Sequence, residues 1–148
     1  MKNPISDFEQ EPAQEDTNLI ADFTLPRILL IAENIRVIEP ILSALKDDGL
    51  PVMLAHGYPA GIEHWSEHRQ PIVLIDVPRL EEVEPAIDTA VAIKRRDPAQ
   101  FIGYLADNTL HTSGLTGDAL FPRSSTRLPT LLRTHLVAPG GNPPSFWG

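Results

Sequence analysis

The chain has 148 residues, of which 42% are hydrophobic, so it is long enough for one compact domain with a buried core. It has no cysteine, which excludes disulfides and cysteine-based metal sites, and its net charge of −8 argues against nucleic-acid binding. No apolar run reaches the roughly 18 residues of a membrane span, and the N-terminus lacks the pattern of a secretory signal. We therefore expect a soluble, cytoplasmic protein that binds neither membranes nor nucleic acid.

Composition divides the chain into three parts. Residues 1–26 hold six acids and one lysine and are interrupted by prolines. Such a stretch buries too little apolar surface to order itself, so we predict an acidic, disordered arm over residues 1–25. The domain is expected over residues 26–137. Residues 138–148 are rich in proline and glycine, and we expect Phe146 and Trp147 to dock on this domain, on a second copy or on a partner.

Five apolar runs predict strands, of which the second is shorter and weaker, and the continuous third run is typical of a strand buried on both faces, as in a parallel sheet. They cover residues 27–31, 51–55, 72–75, 101–105 and 119–121, and the third run ends in the carboxylate of Asp76. Apolar residues at helical spacing predict helices over residues 36–46, 60–68 and 82–96. Ser124, Ser125 and Thr126 predict the cap of a last helix that ends near residue 136. Residues 107–117 show little helical periodicity, so we expect a shortened or irregular fourth helix.

The first predicted helix contains a proline and is followed by a glycine. Pro40 is expected in or near the first turn, because proline lacks an amide hydrogen. Gly49 suits the left-handed cap that ends many helices.

Strands that alternate with helices through short loops predict a doubly wound α/β fold with a five-stranded parallel sheet. The strand order 2-1-3-4-5 is expected for an open sheet of this size. Strands 1 and 3 then flank the point where the order reverses, and ligands bind beyond the carboxyl ends of the strands there. This places Glu33 and Asp76 side by side at one edge of the sheet. The alternative is that Asp76 only ends its strand and caps the next segment.

Three segments carry a resemblance to a known family: residues 27–34 (RILLIAEN), 71–76 (PIVLID) and 117–122 (GDALFP). In this order they resemble the receiver domain of two-component response regulators, over about residues 26–136. The resemblance implies a flavodoxin/CheY-like fold, with Asp76 at the phosphoacceptor position and with Glu33 and Asn34 in the acidic pocket. It also implies weak Mg²⁺ binding by Glu33 and Asp76, because Mg²⁺ prefers oxygen ligands.

The chain departs from the receiver pattern at several positions. Ala32 stands where receivers have a first acid, and Ala106 offers no hydroxyl at the position of the switch serine or threonine. Pro122 stands at the lysine position with Arg123 next to it, and the planar fork of arginine is not equivalent to a lysine ammonium. The resemblance therefore implies a pseudo-receiver without enzymatic activity and without a required cofactor.

Three functions are consistent with these residues. The first is a stand-alone pseudo-receiver that signals by contact with a protein partner, or as a homodimer, without phosphorylation. The second is an atypical receiver in which Asp76 takes a phosphoryl group from a histidine kinase and Arg123 replaces the lysine. The third is a small-molecule-binding α/β domain that uses the crevice at the strand ends.

A histidine pair suggests a separate possibility. His64 and His68 lie four residues apart on one face of the predicted helix, a spacing that can bind a transition metal with His56 or Glu67 as a further ligand. The alternative is a solvent-facing surface with Trp65 packed inward. No phosphate-binding glycine loop, dinucleotide fingerprint or serine nucleophile elbow occurs in the sequence.

Overall fold

The structure, a computed structural model, describes residues 27–107, 110, 115 and 117–137. Three predicted segments lie wholly or mostly outside these residues: the N-terminal arm, the C-terminal tail and the irregular helix expected over residues 107–117. The predictions for those segments therefore stay predictions.

The described residues form strands and helices in alternation. The strands are β1 (Ile28–Ala32), β2 (Val52–His56), β3 (Ile72–Val77), β4 (Phe101–Ala106) and β5 (Ala119–Phe121). The helices are α1 (Ile35–Asp47), α2 (Tyr58–Glu67), α3 (Val83–Arg96) and α4 (Leu128–Val137), and a 3₁₀ turn (Leu80–Glu82) precedes α3. None of the described helices combines the length and the apolar composition that crossing a membrane requires.

The strands form one parallel sheet in the order β2-β1-β3-β4-β5, which confirms the predicted topology. Its register pairs Ile28 with both Val52 and Ile72, so the three strands begin at the same edge. At the other edge Asp76 is paired with Leu105. The carboxyl ends of the strands therefore meet where the sequence places its acidic and basic candidates.

Helices cover both faces of the sheet, and each face has its own apolar core. On one face, α2 and α3 pack against residues such as Ile31, Ile75 and Tyr104. On the opposite face, α1 and α4 pack against residues such as Leu30 and Leu74. Side chains alternate along a strand, so β1, β3 and β4 are apolar on both faces, and burial on both sides explains their continuous hydrophobic runs.

Local signals explain where α1 begins and ends. The side chain of Asn34 accepts hydrogen bonds from the amides of Arg36 at 3.0 Å and Val37 at 3.3 Å, which caps the first turn. Gly49 has φ of +84°, as expected for a residue that ends a helix in the left-handed conformation. Pro40 is the sixth residue of α1 and lies in its second turn, directly after the first turn near which it is expected. It is exposed, and the apolar stripe of α1 stays buried on the other side of the helix.

The start of α2 differs from the prediction by two residues. Tyr58 and Pro59, which precede the helix predicted over residues 60–68, are the first two residues of α2. Proline is well tolerated there, because the amides of the first helical turn have no partner within the helix. Gly57, with φ of +105°, makes the turn that leads from β2 into this helix.

Candidate functional site

Asp76 lies at the end of β3, at the carboxyl edge of the sheet. Along β3, its side chain alternates with Ile75 and Val77 and shares the face of Ile72 and Leu74, which is covered by α1 and α4. The residue is 0% exposed, which is unusual for an aspartate. A buried carboxylate requires a partner, and the partner identifies the chemistry of this edge.

The partner of Asp76 is Arg123, which comes two residues after β5. Its Nε donates to Oδ1 of Asp76 at 2.6 Å, and its Nη2 donates to Oδ2 at 3.4 Å. Nη2 also donates to the backbone carbonyl of Val37 in α1 at 3.4 Å. Pro122 is buried and directs the chain from the end of β5 toward this edge. The arginine fork therefore contacts both oxygens of the carboxylate, with a shorter contact at Oδ1.

Burial and the ion pair act on Asp76 in opposite directions. Burial raises the pKa of the carboxyl above its ordinary value, and the negative charges of Glu82 and Asp107 add to this rise. The hydrogen bond and the positive charge of Arg123 lower the pKa, and they compensate only part of the rise. The ion pair with Arg123 therefore stabilises the carboxylate of Asp76 at a buried position where an unpaired carboxylate would be strongly unfavourable.

Glu33 and Asn34, the other predicted residues of the acidic pocket, are occupied at helix N-termini. Oε2 of Glu33 accepts a hydrogen bond from the amide of Tyr58 at 2.7 Å, at the start of α2. Negative charge is favourable at that end of a helix. Asn34 caps α1 in the same way. Both side chains thus have structural partners on two different helices.

This arrangement is unfavourable for Mg²⁺. Both oxygens of Asp76 face a guanidinium cation, Glu33 is engaged at α2, and Ala32 supplies no ligand. In the described part of the chain, no group of three or more histidine, aspartate or glutamate side chains is placed to hold a metal ion. The Glu33–Asp76 metal site and the histidine-pair metal site stay predictions.

Ala106 ends β4 and is fully buried in the core under α2 and α3. It is paired with Val77, one residue beyond Asp76. A methyl group at this position cannot donate a hydrogen bond to an added phosphoryl group. The sequence predicts this lack of a hydroxyl at the switch position. Ala106 contributes to the packing of the core instead.

Tyr58 is a further polar residue at this edge, and no motif of the sequence identifies it. Its hydroxyl donates to the backbone carbonyl of Asp76 at 2.7 Å, and its side chain is buried. Pro59 directly after it signals a helix start, which could have placed Tyr58 at the edge. The tyrosine connects α2 to the end of β3.

A cavity of about 420 Å³ lies beside Tyr58, between α2 and α3. It is lined by Glu33, Tyr58, Pro59, Ile62, Pro85, Asp88 and Thr89. Its size lies within the range of small-molecule sites. Neither Asp76 nor Arg123 lines this cavity, so the small-molecule hypothesis concerns the α2–α3 side of the edge rather than the ion pair.

Among 22 solved chains that are similar to this chain, two show how far the likeness extends. One is a response regulator from Desulfuromonas acetoxidans, with a TM-score of 0.57 and 12% identity, covering 72% of this chain and 93% of the other. Another is a fusion of a yeast Spc42 trimeric coiled-coil segment with a further protein, with a TM-score of 0.58 and 18% identity, covering 73% and 76%. No protein-family profile matches the chain, and no curated protein matches it.

The chain has a flavodoxin/CheY-like fold. The parallel order β2-β1-β3-β4-β5 and the superposition on a response regulator agree on this point. At 12% and 18% identity, the likeness concerns the fold alone. The predicted resemblance to receivers is thus confirmed for the fold, while the roles of individual residues have to be argued from this chain's own geometry.

Proposed function

We propose that the chain is a pseudo-receiver that acts in signal transduction by contact with a protein partner, without phosphorylation of Asp76. The observation that carries this proposal is the ion pair between Asp76 and Arg123, with its Nε–Oδ1 distance of 2.6 Å. The receiver-like fold supports a signalling role. The altered residues around the ion pair support a role that does not need chemistry at Asp76.

The ion pair interferes with phosphoryl transfer in two ways. A phosphoacceptor carboxylate has to present a free oxygen to phosphorus, and both oxygens of Asp76 face Arg123. Phosphoryl transfer also relies on metal ions that neutralise the developing charge, and the surroundings of Asp76 disfavour Mg²⁺. The 12% exposure of the Arg123 side chain further limits access to the pair.

The same observation favours one second candidate, an atypical phosphoacceptor. Arg123 follows the buried Pro122 and reaches Asp76 directly, so it is placed to neutralise a phosphoryl group as a fixed cation. In this function, an oxygen of Asp76 forms a bond to phosphorus while the bond between phosphorus and the histidine of the donor kinase breaks, and the dephosphorylated histidine departs as the leaving group. Arg123 would then have to move from the carboxylate to the new phosphoryl oxygens.

Beryllofluoride, which mimics a phosphoryl group on aspartate, separates the two candidates. We expect amide NMR spectra of the full chain with Mg²⁺ and beryllofluoride to show no saturable shifts around Asp76, and Asp76→Asn to give the same null result. Saturable shifts at Asp76, Glu33 and β5 that Asp76→Asn abolishes would instead establish the phosphoacceptor. Arg123→Lys is the matched control, because it keeps the cation but removes the fork.

Partner contact is tested separately from phosphorylation. We expect the wild-type chain and Asp76→Asn to co-purify with the same protein in the same amount. Recovery that requires an intact Asp76 would contradict independence from phosphorylation. A chain that recovers no protein partner would contradict signalling by contact.

A further inference from the structure

A basic cavity lies at the edge of the sheet opposite to Asp76. It has a volume of about 450 Å³, and its lining residues are Arg27, Met53, His64, His68, Arg69 and Gln70. Arg27 directly precedes β1, and Arg69 and Gln70 come shortly before β3, so the cavity is at the amino-terminal edge. Three separate segments of the chain converge there.

The lining is opposite in charge to the protein as a whole. The chain has 20 acidic residues against 12 lysines and arginines, yet the described lining contains two arginines, two histidines and no acid. Clefts lined by charge of one sign attract ligands of the other sign. An arginine fork binds carboxylates with two hydrogen bonds. The chemistry of this basic cavity therefore fits a carboxylate.

Arg69 is held in place before any ligand binds. Its guanidinium lies over the ring of Trp65, with Cζ 4.0 Å from the centroid, and Nη1 lies 3.5 Å from Oδ2 of Asp97. Trp65 is fully buried, and its Nε1 donates to Oε1 of Gln100 at 2.8 Å. The Arg69 side chain is nevertheless 50% exposed, so it keeps donors for a further acceptor. A fixed cation binds a ligand at a lower entropic cost than a mobile one.

The histidines leave further capacity for hydrogen bonds. The rings of His64 and His68 lie 5.4 Å apart and are tilted by 50°. Within the described residues, Nε2 of His64 is buried and has no hydrogen-bond partner. Buried polar atoms normally have one, so this edge of the domain is not fully satisfied by its own described residues.

We propose that the basic cavity binds carboxylates of the chain's own N-terminal segment, residues 1–26. This segment carries six acids and one lysine, so its charge is complementary to the cavity. It continues directly into Arg27, which itself lines the cavity. A tethered ligand has an effective concentration on the order of millimolar, so even a weak affinity suffices.

The length of the segment permits this contact. Asp22 precedes Arg27 by five residues, which span up to about 18 Å when extended. Glu15 and Asp16 precede Arg27 by 12 and 11 residues, and a chain of this length is long enough to reach any part of the cavity. The segment also contains Phe23 and Leu25, whose apolar side chains are suited to cover the exposed Met53.

A spin label in the segment tests the proposal on the full-length chain. Because the chain has no cysteine, Thr17→Cys provides a single site for a nitroxide label. We expect the label to broaden the NMR signals of His64, His68 and Met53, and to leave the signals around Asp76 at the opposite edge sharp. High salt should remove this broadening, because it screens exposed charges.

Two matched variants test the charges on each side. Arg27→Gln with Arg69→Gln should abolish the broadening, whereas Arg36→Gln with Arg127→Gln, which removes equal charge from other exposed positions, should preserve it. Neutralising Glu15, Asp16 and Asp22 to their amides should also abolish it. This last variant leaves the domain unchanged, so its result does not depend on the folding of an arginine variant.

Three results would overturn the proposal. Broadening that persists after the arginines or the segment acids are neutralised would show that charge is not the cause. Broadening centred on another surface would place the segment elsewhere. Saturable shifts of His64 and His68 with inorganic phosphate, in a chain whose label broadens neither, would assign the cavity to a free anion.

Discussion

At the scale of single residues, the ion pair between Asp76 and Arg123 distinguishes this edge of the sheet from an acidic pocket that is open to Mg²⁺. The two side chains come from positions 47 residues apart and meet at 2.6 Å in a site with little exposure. Burial of an ion pair costs desolvation free energy, and leaving one of the two charges buried without its partner costs more. The two residues are therefore expected to behave as one unit in stability measurements.

Removal of Arg123 should destabilise the protein in a pH-dependent way. Arg123→Met leaves the buried carboxylate of Asp76 without a cation, and we expect a loss of about 3–5 kcal/mol at neutral pH. Burial already raises the pKa of Asp76 in the folded protein, and without Arg123 it rises further. The favourable contribution of the protonated carboxyl is fully present below its unfolded pKa of about 3.9 and is lost as pH rises through the folded pKa. Urea unfolding at a series of pH values measures this profile.

The control for this prediction is Asp76→Asn, which keeps the shape of the side chain and removes its charge. In that background, Arg123→Met should cost much less, and the pH-dependent part of the loss should disappear. Equal pH profiles for Arg123→Met with and without Asp76→Asn would contradict the assignment of the profile to this pair.

At the scale of elements, α2 lies so close to β1 that only glycine fits at Gly61. A Cβ atom there would lie 2.5 Å from Cγ2 of Ile31 and 2.6 Å from its Cδ1. Helix propensity favours alanine over glycine by roughly 0.5–1 kcal/mol, so propensity and packing act in opposite directions at this residue.

We expect packing to decide the effect of Gly61→Ala. Overpacking of a core typically costs 1–3 kcal/mol, so the variant should have a lower free energy of unfolding than the wild type. Ile31→Ala on its own creates a cavity and should be destabilising. In the Gly61→Ala background it should cost less, because the added methyl group then has room. A double-mutant cycle by urea unfolding tests this coupling, and additive effects would contradict it.

The carboxylate of Asp118, directly before the short strand β5, connects the start of this strand to β4 and α3. Oδ2 of Asp118 accepts from the amide of Ile102 in β4 at 2.8 Å and from Nζ of Lys94 in α3 at 2.8 Å. Strand β5 has three residues, so few bonds of the sheet hold it. Asp118 therefore connects the edge of the sheet to the end of α3.

Substitutions at Asp118 should separate its two bonds. Asp118→Ala removes both and should cost about 1.5–3 kcal/mol, the range for hydrogen bonds to charged groups. Lys94→Met keeps the Ile102 bond but removes the ion pair, whose side chains are 33% and 34% exposed, and a 3.4 Å hydrogen bond from Nζ to the carbonyl of Pro98. It should cost about 0.2–1 kcal/mol. Amide hydrogen exchange should show faster opening of β5 in Asp118→Ala than in Lys94→Met. Equal exchange in the two variants would show that the Ile102 bond is unimportant.

At the scale of the whole molecule, both tyrosines of the chain are buried in the fold. Burial raises the pKa of Tyr58 far above its ordinary value, and the charges of Glu82, Asp76 and Glu33 add to the rise. Burial, with the charge of Asp118, raises the pKa of Tyr104 to about 12. Tyrosine ionisation thus reports on the integrity of the entire domain.

The folded protein should show no tyrosinate absorbance near pH 10. The unfolded chain loses tyrosine protons at about pH 10, whereas the folded chain retains them, so stability should fall as pH rises above that value. Tyrosinate absorbance should appear together with the loss of circular dichroism. The chain in concentrated urea, as a control, should titrate near the ordinary value. A tyrosine that ionises near pH 10 in a chain with native circular dichroism would contradict the burial of its hydroxyl.

The elements and their order in the sheet follow from local signals in the sequence. Continuous apolar runs such as the one ending at Asp76 occur where a strand is buried on both faces, and that signal is local. The turn at Gly49 is also readable from the sequence, because few residues accept its backbone conformation. Errors in the predicted bounds of the described helices were limited to one or two residues at helix ends, where propensities are weak guides.

The contacts between most charged groups depend on how the elements pack in three dimensions. Glu33 accepts a hydrogen bond from the amide of Tyr58, 25 residues away, and both oxygens of Asp76 face the guanidinium of Arg123. The basic cavity likewise combines Arg27 and Arg69 from different segments. Hydrophobic periodicity specifies which face of an element is buried, but the direction of a polar side chain at a strand end depends on loops and helices that pack there. The fold could therefore be predicted from the sequence, and the resemblance to receivers placed Arg123 near Asp76, whereas the partners of Glu33 and Arg69 could not be predicted.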